Sequence, residues 1–262
     1  MRIEQLIIYP VKGLRGISVN QAKALEKGFE HDRRYMVVDK DGVFLSQRVI
    51  TKMALIDCKI EEDQLKLSYQ DQSFHVDLKQ ETGTKHKTKV WNHYIDAIEV
   101  NPIAHEWFSD ILQHDCKLVK MNKDSKRKKS LIKAPRTTQL SFADGYPYLV
   151  LGTASLDYLN QKLESPVPMD RFRANIIVNS EYEHQEDEVD KFTLSGHKFR
   201  MIKPCARCQV ITIDQSSGAV SKEPLKTLAS YRKKSNKIYF GMNAVCIEEG
   251  LVTVGEKLIE VQ

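Results

Sequence analysis

Hydrophobic and polar positions alternate with a two-residue period, or run apolar over strand lengths, in RIEQLIIYPVK (2–12), HDRRYMVVDKDGVFLSQR (31–48) and QLKLSYQDQSFHVDL (64–78). Lys40-Asp41-Gly42 and Tyr69 to Ser73 interrupt the second and third runs with turn chemistry, which predicts hairpins. A further strand is expected from Cys116 to Lys120. One helix breaks this β-rich half: Asn101 can cap it, Pro102 suits its first position, and Ile103, Trp107 and Ile111 are expected on one face. Later in the chain, Thr153 to Leu163 reads as a helix with Leu156, Leu159 and Leu163 inward. Pro224 to Tyr231 reads as a shorter one along Leu225, Leu228 and Tyr231. ANIIVN, HKFRMIK, QVITID and LVTVGEKLIEV supply strands, and Gly255 is expected to turn a closing hairpin. The pattern predicts an α+β fold in which β dominates.

Lys120 to Lys133 divides the chain. KMNKDSKRKKSLIK sets seven bases against one acid and reads as a mobile, solvated connector that could dock an anionic partner. The domain boundary is expected near Lys123, giving units 1–122 and 123–262. Elsewhere the charge is ordinary: 40 bases against 35 acids leave +5 over 262 residues, which does not mark a nucleic-acid binder. No run approaches the roughly 18 consecutive apolar residues a membrane span requires. The opening lacks the apolar core and cleavage site of a signal peptide. A cytoplasmic location is expected, and five cysteines, an odd count with one close pair, suit a reducing compartment.

The sharpest chemical feature is Lys203-Pro204-Cys205-Ala206-Arg207-Cys208. A structural zinc site needs a second pair of ligands, and Cys58, Cys116 and Cys246 stand alone. A redox dithiol needs a helix after its first cysteine, whereas Gln209 to Asp214 reads as a strand. A single thiolate holding a soft metal, with Arg207 nearby, stays open beside two inert, packed thiols. In Arg171-Phe172-Arg173-Ala174-Asn175, alternation is expected to put Arg171, Arg173 and Asn175 on one face, where guanidinium groups suit phosphate or carboxylate; a surface ion-pair strand is the plain alternative. Tyr9-Pro10-Val11-Lys12-Gly13 and Asp32-Arg33-Arg34-Tyr35 bring bases to strand ends. Ser141 to Tyr148 is a Gly-Pro turn lined with hydroxyls and aromatics. No G-x-G-x-x-G, P-loop or G-x-S-x-G occurs.

YPVKG, SFADGYPYLV, RFRAN, KPCARC followed by VITID, EPLKTL and FGMN occur together in this order, and the chain thereby resembles the MOSC-domain proteins, particularly bacterial relatives of the mitochondrial amidoxime-reducing component. The likeness runs from Ile7 to Gly255. It implies an N-terminal β-barrel module followed by a MOSC β-barrel domain, and a molybdenum cofactor (a molybdopterin whose dithiolene holds Mo) completed by one protein cysteine. The motif position of that ligand matches Cys208. The same resemblance sets Lys12, Gly13, Arg33, Gly145, Tyr146, Arg173, Asn175, Ala206, Arg207 and Asn243 against the pterin and its phosphate. It implies two-electron reduction of amidoximes, hydroxylamines and N-hydroxylated bases; a cofactor-binding or sulfur-carrying module is the alternative it leaves open. Some relatives carry a ferredoxin-like extension, whereas this chain stops at Gln262. Electrons are therefore expected from a separate flavodoxin-like or ferredoxin-like protein.

Overall fold

The computed structural model describes residues 1–80, 83–131 and 137–261. Among them strands dominate, and the α-helices are α1 (Pro102–Leu112), α2 (Thr153–Asn160) and α3 (Leu225–Arg232). The fold is β-dominated α+β, as the alternation predicts. The largest sheet runs in the order Leu258–Glu260, Lys191–Leu194, His197–Ala206, Lys237–Cys246, Tyr148–Gly152, Ile176–Asn179, Arg2–Ile8 and Ile17–Val19, with Lys233–Lys234 pairing off this path. Two strands of the first half, Arg2–Ile8 and Ile17–Val19, therefore complete a sheet otherwise built from the second half of the chain, with Leu6 opposite Ile176. A five-stranded sheet joins Lys85–Val90, His93–Glu99, Cys116–Met121, Tyr35–Asp39 and Val11–Lys12. Gly250–Thr253 pairs with Gln21–Leu25, so the chain's two ends meet a second time.

Local chemistry explains these elements. In Arg2–Ile8 the register shifts between Ile3 and Gln5, so Ile3 and Leu6 both turn inward although three residues apart. They join Ile176, Phe192 and Phe199 in one core, where the last two rings stack at 5.4 Å. Each such side chain, fully buried, contributes roughly 2 kcal/mol. Asn101 Oδ1 accepts the Ala104 amide at 2.8 Å and caps α1, with Pro102 in its first turn as expected. The buried face of α1 is rotated from expectation: Ala104, Phe108, Ile111 and Leu112 point inward and Trp107 packs partly against the same core, while Ile103 is 64% exposed. At about 100° per residue the 103, 107, 111 set centres roughly 90° around the helix from the observed stripe, so the two share only Ile111.

Three other expectations are corrected. Gln209–Thr212 is a 3₁₀ turn, and only Ile213 makes a strand bridge, to Val220. Thr212 Oγ1 donates to Gln209 O at 2.8 Å and favours the turn; a short apolar run does not distinguish strand from helix by itself. Met169–Phe172 is likewise a 3₁₀ turn, Arg173 follows with φ 55°, and the strand begins only at Ile176. Alternation therefore does not hold across Arg171 to Asn175. Gly255 does turn the chain, at φ 87°, yet its flanking strands join different sheets rather than each other.

Among its described residues the basic segment is paired and anchored rather than a solvated connector. Lys128–Ser130 pairs with Thr137–Gln139, and Arg127 is buried, donating to the carbonyls of Ser141 (3.0 Å), Ala143 and Asp144 (3.2 Å). Those bonds hold the Ser141 to Tyr146 turn in place. Lys126 and Lys128 are exposed, and positions 132 and 133 lie outside the described residues. No helix among the described residues is long and apolar enough to cross a membrane.

Candidate functional site

A cavity of about 640 Å³ opens where the five-stranded sheet meets the large one. Lys12, Gly13 and Arg33 line it from the N-terminal half, and Gly145 and Tyr146 from the Gly-Pro turn. Arg173, Asn175, Ala206, Arg207, Cys208 and Asn243 line it from the second half. The eleven residues that the family resemblance sets at a cofactor site thus border one space. Arg171, the companion expected beside Arg173, does not; it pairs with Asp214 at 2.8 Å. The 3₁₀ turn and the left-handed residue after it rotate the two guanidinium groups apart.

A buried carboxylate organises one wall. Asp32, with no exposed surface, accepts from the Tyr9 amide (2.8 Å), Asn175 Nδ2 (3.1 Å) and Arg33 Nη1 (2.6 Å). Arg33 Nη1 also reaches Asn175 Oδ1 at 2.9 Å. The guanidinium groups of Arg33 and Arg173 lie 4.3 and 4.4 Å from the Tyr9 ring centre. Burial pushes the Tyr9 hydroxyl up to about 12, against the pull of Arg173 and Arg33, so it remains a neutral donor, here to Ala174 O at 3.2 Å. Arg33 and Arg173 have φ of 50° and 55°. A left-handed backbone costs a non-glycine residue about 1–2 kcal/mol, and the surrounding hydrogen bonds hold both side chains toward the cavity.

The opposite wall contains residues the sequence did not single out. Lys12 Nζ donates to Phe142 O (2.9 Å) and Asp144 Oδ1 (2.5 Å), and Trp91 Nε1 donates to the same oxygen at 3.0 Å. Burial would raise the Asp144 carboxyl, but Lys12, Trp91 and Arg48 together hold it well below the usual carboxylate range, although the side chain opens to the cavity. Burial lowers the Lys12 ammonium and Asp144 opposes that shift. Arg48 lies 4.5 Å over the Trp91 ring and donates from Nη2 to Cys208 Sγ at 3.3 Å. Arg207 serves the other thiol: Nη1 reaches Cys205 Sγ at 3.3 Å, and Nη2 reaches Phe172 O at 2.7 Å. The cation beside Cys208 is therefore Arg48 rather than Arg207. A base directly after an apolar strand, as in FLSQR, was the only sequence signal for it.

The charge balance of the lining is lopsided. Lys12, Arg33, Arg48, Lys129, Arg173, Lys203, Arg207 and Lys237 give eight cations against the single carboxylate of Asp144 among the described residues. Lys129 and Lys203 approach the Tyr146 ring at 4.9 and 5.4 Å. The Tyr146 hydroxyl and Arg207 Nε are buried without a hydrogen-bond partner, and a Cβ on Gly145 would meet nothing within 4 Å. Unpaired buried donors and open space beside a backbone turn are what an anionic, hydrogen-bonding ligand would fill. Gly241, two residues before Asn243 on the same strand, has φ 74°, and a Cβ there would sit 2.8 Å from Val150 O. Burial pushes the thiols of Cys58, Cys116 and Cys246 up to about 12, 11 and 12, and none of the three lines the cavity.

Comparison with known proteins identifies the family. Residues 1–115 match the MOSC N-terminal beta barrel domain and residues 137–259 the MOSC domain. The chain is 30% identical over 241 residues to mitochondrial amidoxime reducing component 2 of Bos taurus, covering 88% of this chain and 72% of that one. It is 28% identical over 277 residues to mitochondrial amidoxime-reducing component 1 of Homo sapiens, covering 97% and 81%. Molybdenum cofactor sulfurase of Oryza sativa subsp. japonica is 30% identical over 272 residues, which are 92% of this chain but 32% of the sulfurase. The chain belongs to the MOSC-domain family, with the N-terminal β-barrel domain and the MOSC domain joined in one polypeptide.

Proposed function

We propose that this cavity holds a molybdenum cofactor and that the protein reduces N-hydroxylated compounds such as amidoximes, hydroxylamines and N-hydroxylated bases. The observation that carries this reading is a space lined by eight cations and one acid with the Cys208 thiol in its wall. An anionic pterin phosphate fits the cations, and a soft thiolate suits molybdenum. Lys12, Arg33, Arg173 and Asn175 would hold the phosphate and pterin polar groups. The turn at Gly145 and Tyr146, the backbone around Ala206 and Arg207, and Asn243 would border the ring system. Cys208 would be the protein ligand to the metal.

When bound, the cofactor would supply two-electron chemistry: a substrate N–O bond breaks, two electrons and two protons are consumed, and water leaves. Arg48, 3.3 Å from Cys208 Sγ, is placed to balance the negative charge of a thiolate ligand and to donate toward the oxygen that departs. The Trp91 ring beneath Arg48 fixes that guanidinium's position. Electrons would come from a separate flavodoxin-like or ferredoxin-like protein, and five free thiols suit a cytoplasmic setting. Units 1–122 and 123–262 would each contribute residues to both walls of the site.

Similarity to molybdenum cofactor sulfurases favours a second reading, a cofactor-binding or sulfur-carrying module, in which Cys208 would bear a persulfide. Metal and pterin analysis of protein made in a host that synthesises the cofactor separates the two. Stoichiometric Mo and pterin together with benzamidoxime turnover support the reductase. A persulfide without Mo supports the carrier.

A further inference from the structure

A second cavity of about 540 Å³ adjoins the first and shares Gln47 and Arg48 with it. The 3₁₀ turn that follows Cys208 lies between them, contributing Gln209 and Thr212 to the second space. Much of its lining is apolar, from Ile213, Val220, Leu225 and Ile238, and Val220 is 64% exposed. Its charged members are Arg48, Lys222 and Lys226, with no acid among the described lining residues. The adjacent acid, Glu223, is turned to α3, where its carboxylate accepts the Thr227 amide at 3.0 Å. Lys222 and Lys226 have no ion-pair partner among the described residues.

An apolar groove with two uncommitted ammonium groups beside a reactive centre fits an amphipathic anion. We propose that this groove receives the part of the substrate remote from its N-hydroxyl group, and that the preferred substrates carry a carboxylate at that end, held by Lys222 and Lys226. The inference rests on the reductase reading. The reaction it serves balances as R–C(NH₂)=NOH + 2e⁻ + 2H⁺ → R–C(NH₂)=NH + H₂O, with the electrons delivered by a separate donor protein.

The test compares benzamidoxime with 4-carboxybenzamidoxime, using reduced methyl viologen as the electron source for the holoenzyme. Two exposed charge pairs give the carboxylate substrate a KM about two- to thirtyfold lower. In the double variant Lys222→Ala/Lys226→Ala the ratio of the two KM values falls to about one. Equal KM values in the parent protein, or a preference that survives in the variant, overturn the proposal. Absence of turnover with either substrate would count against the reductase reading alone. The groove is then read by NMR titration of methyl-labelled protein with benzoate and benzamide. Shifts at Ile213, Val220 and Leu225 that benzoate produces, benzamide does not, and the double variant loses support the anion site. Equal or absent shifts overturn it.

Discussion

Arg48 Nη2 donates to Cys208 Sγ at 3.3 Å, joining two residues separated by 160 positions. The same guanidinium stacks on Trp91, whose indole donates to Asp144, which in turn binds Lys12. One chain of contacts thus runs from the candidate metal ligand across the cavity to the candidate phosphate lysine, and it crosses from the second half of the protein into the first.

Replacing Arg48 tests that chain. A hydrogen bond to a charged group is worth about 1.5–3 kcal/mol, so Arg48→Ala should lower kcat/KM for benzamidoxime by roughly 10- to 100-fold. Arg48→Lys keeps the charge but loses the planar fork and most of the stacking on Trp91, and should fall between. Steady-state kinetics with an artificial reductant check this. Parent-like values in both variants would remove Arg48 from the reaction.

Asp32 should matter for stability first. Asp32→Ala leaves Arg33, the Tyr9 amide and Asn175 without their shared acceptor in a buried place, and breaking such a network costs about 3–5 kcal/mol. Thermal denaturation should show a fall in Tm on the order of 10 °C. Asp32→Asn retains an acceptor and should lose less. A fall of only a degree or two in the alanine variant would mean that the network is replaced by water.

The exposed lysines of the basic segment carry a narrower prediction than the whole run of bases. Arg127 anchors the Gly-Pro turn and Lys129 lines the cavity, so reversing them would disturb the site itself. Lys126→Glu/Lys128→Glu alters only exposed charge. With a flavodoxin or ferredoxin donor at low salt, turnover should slow several-fold. The difference should shrink as ionic strength rises and the Debye length falls toward about 10 Å at 0.1 M. With reduced methyl viologen the variant should match the parent. Equal rates with the protein donor at low salt would place the docking face elsewhere.

The strands, the cap at Asn101 and the turn at Asp41-Gly42 were legible because each depends on local pattern: alternation, a side-chain acceptor before a helix, a residue suited to positive φ. Errors arose where tertiary contacts decide. Gln209 to Asp214 has strand composition, yet Ile211 and Thr212 are buried in a 3₁₀ turn. Arg171 and Arg173 share a spacing but not a surface, because the turn at Met169–Phe172 breaks the alternation. The motif residues converged on one cavity, since each motif supplies polar groups that its own strand or turn does not need. Arg48, Trp91 and Lys129 lacked such a signal. Each lies in a segment that reads as an ordinary strand end or surface base, and only the pairing of distant strands brings it to the site.

Cys208, and not Cys205, would be the residue through which this cavity holds a reactive metal. The most direct measurement is reduction of benzamidoxime by Cys208→Ser and Cys205→Ser proteins from a cofactor-synthesising host, with Mo and pterin content determined on the same samples. An alcohol is a poor ligand for this metal, so the Cys208 variant should lose reduction altogether, while the Cys205 variant should retain a substantial part of it. Equal loss in both variants, or full activity in the Cys208 variant, would mean that Cys208 alone is not the metal ligand.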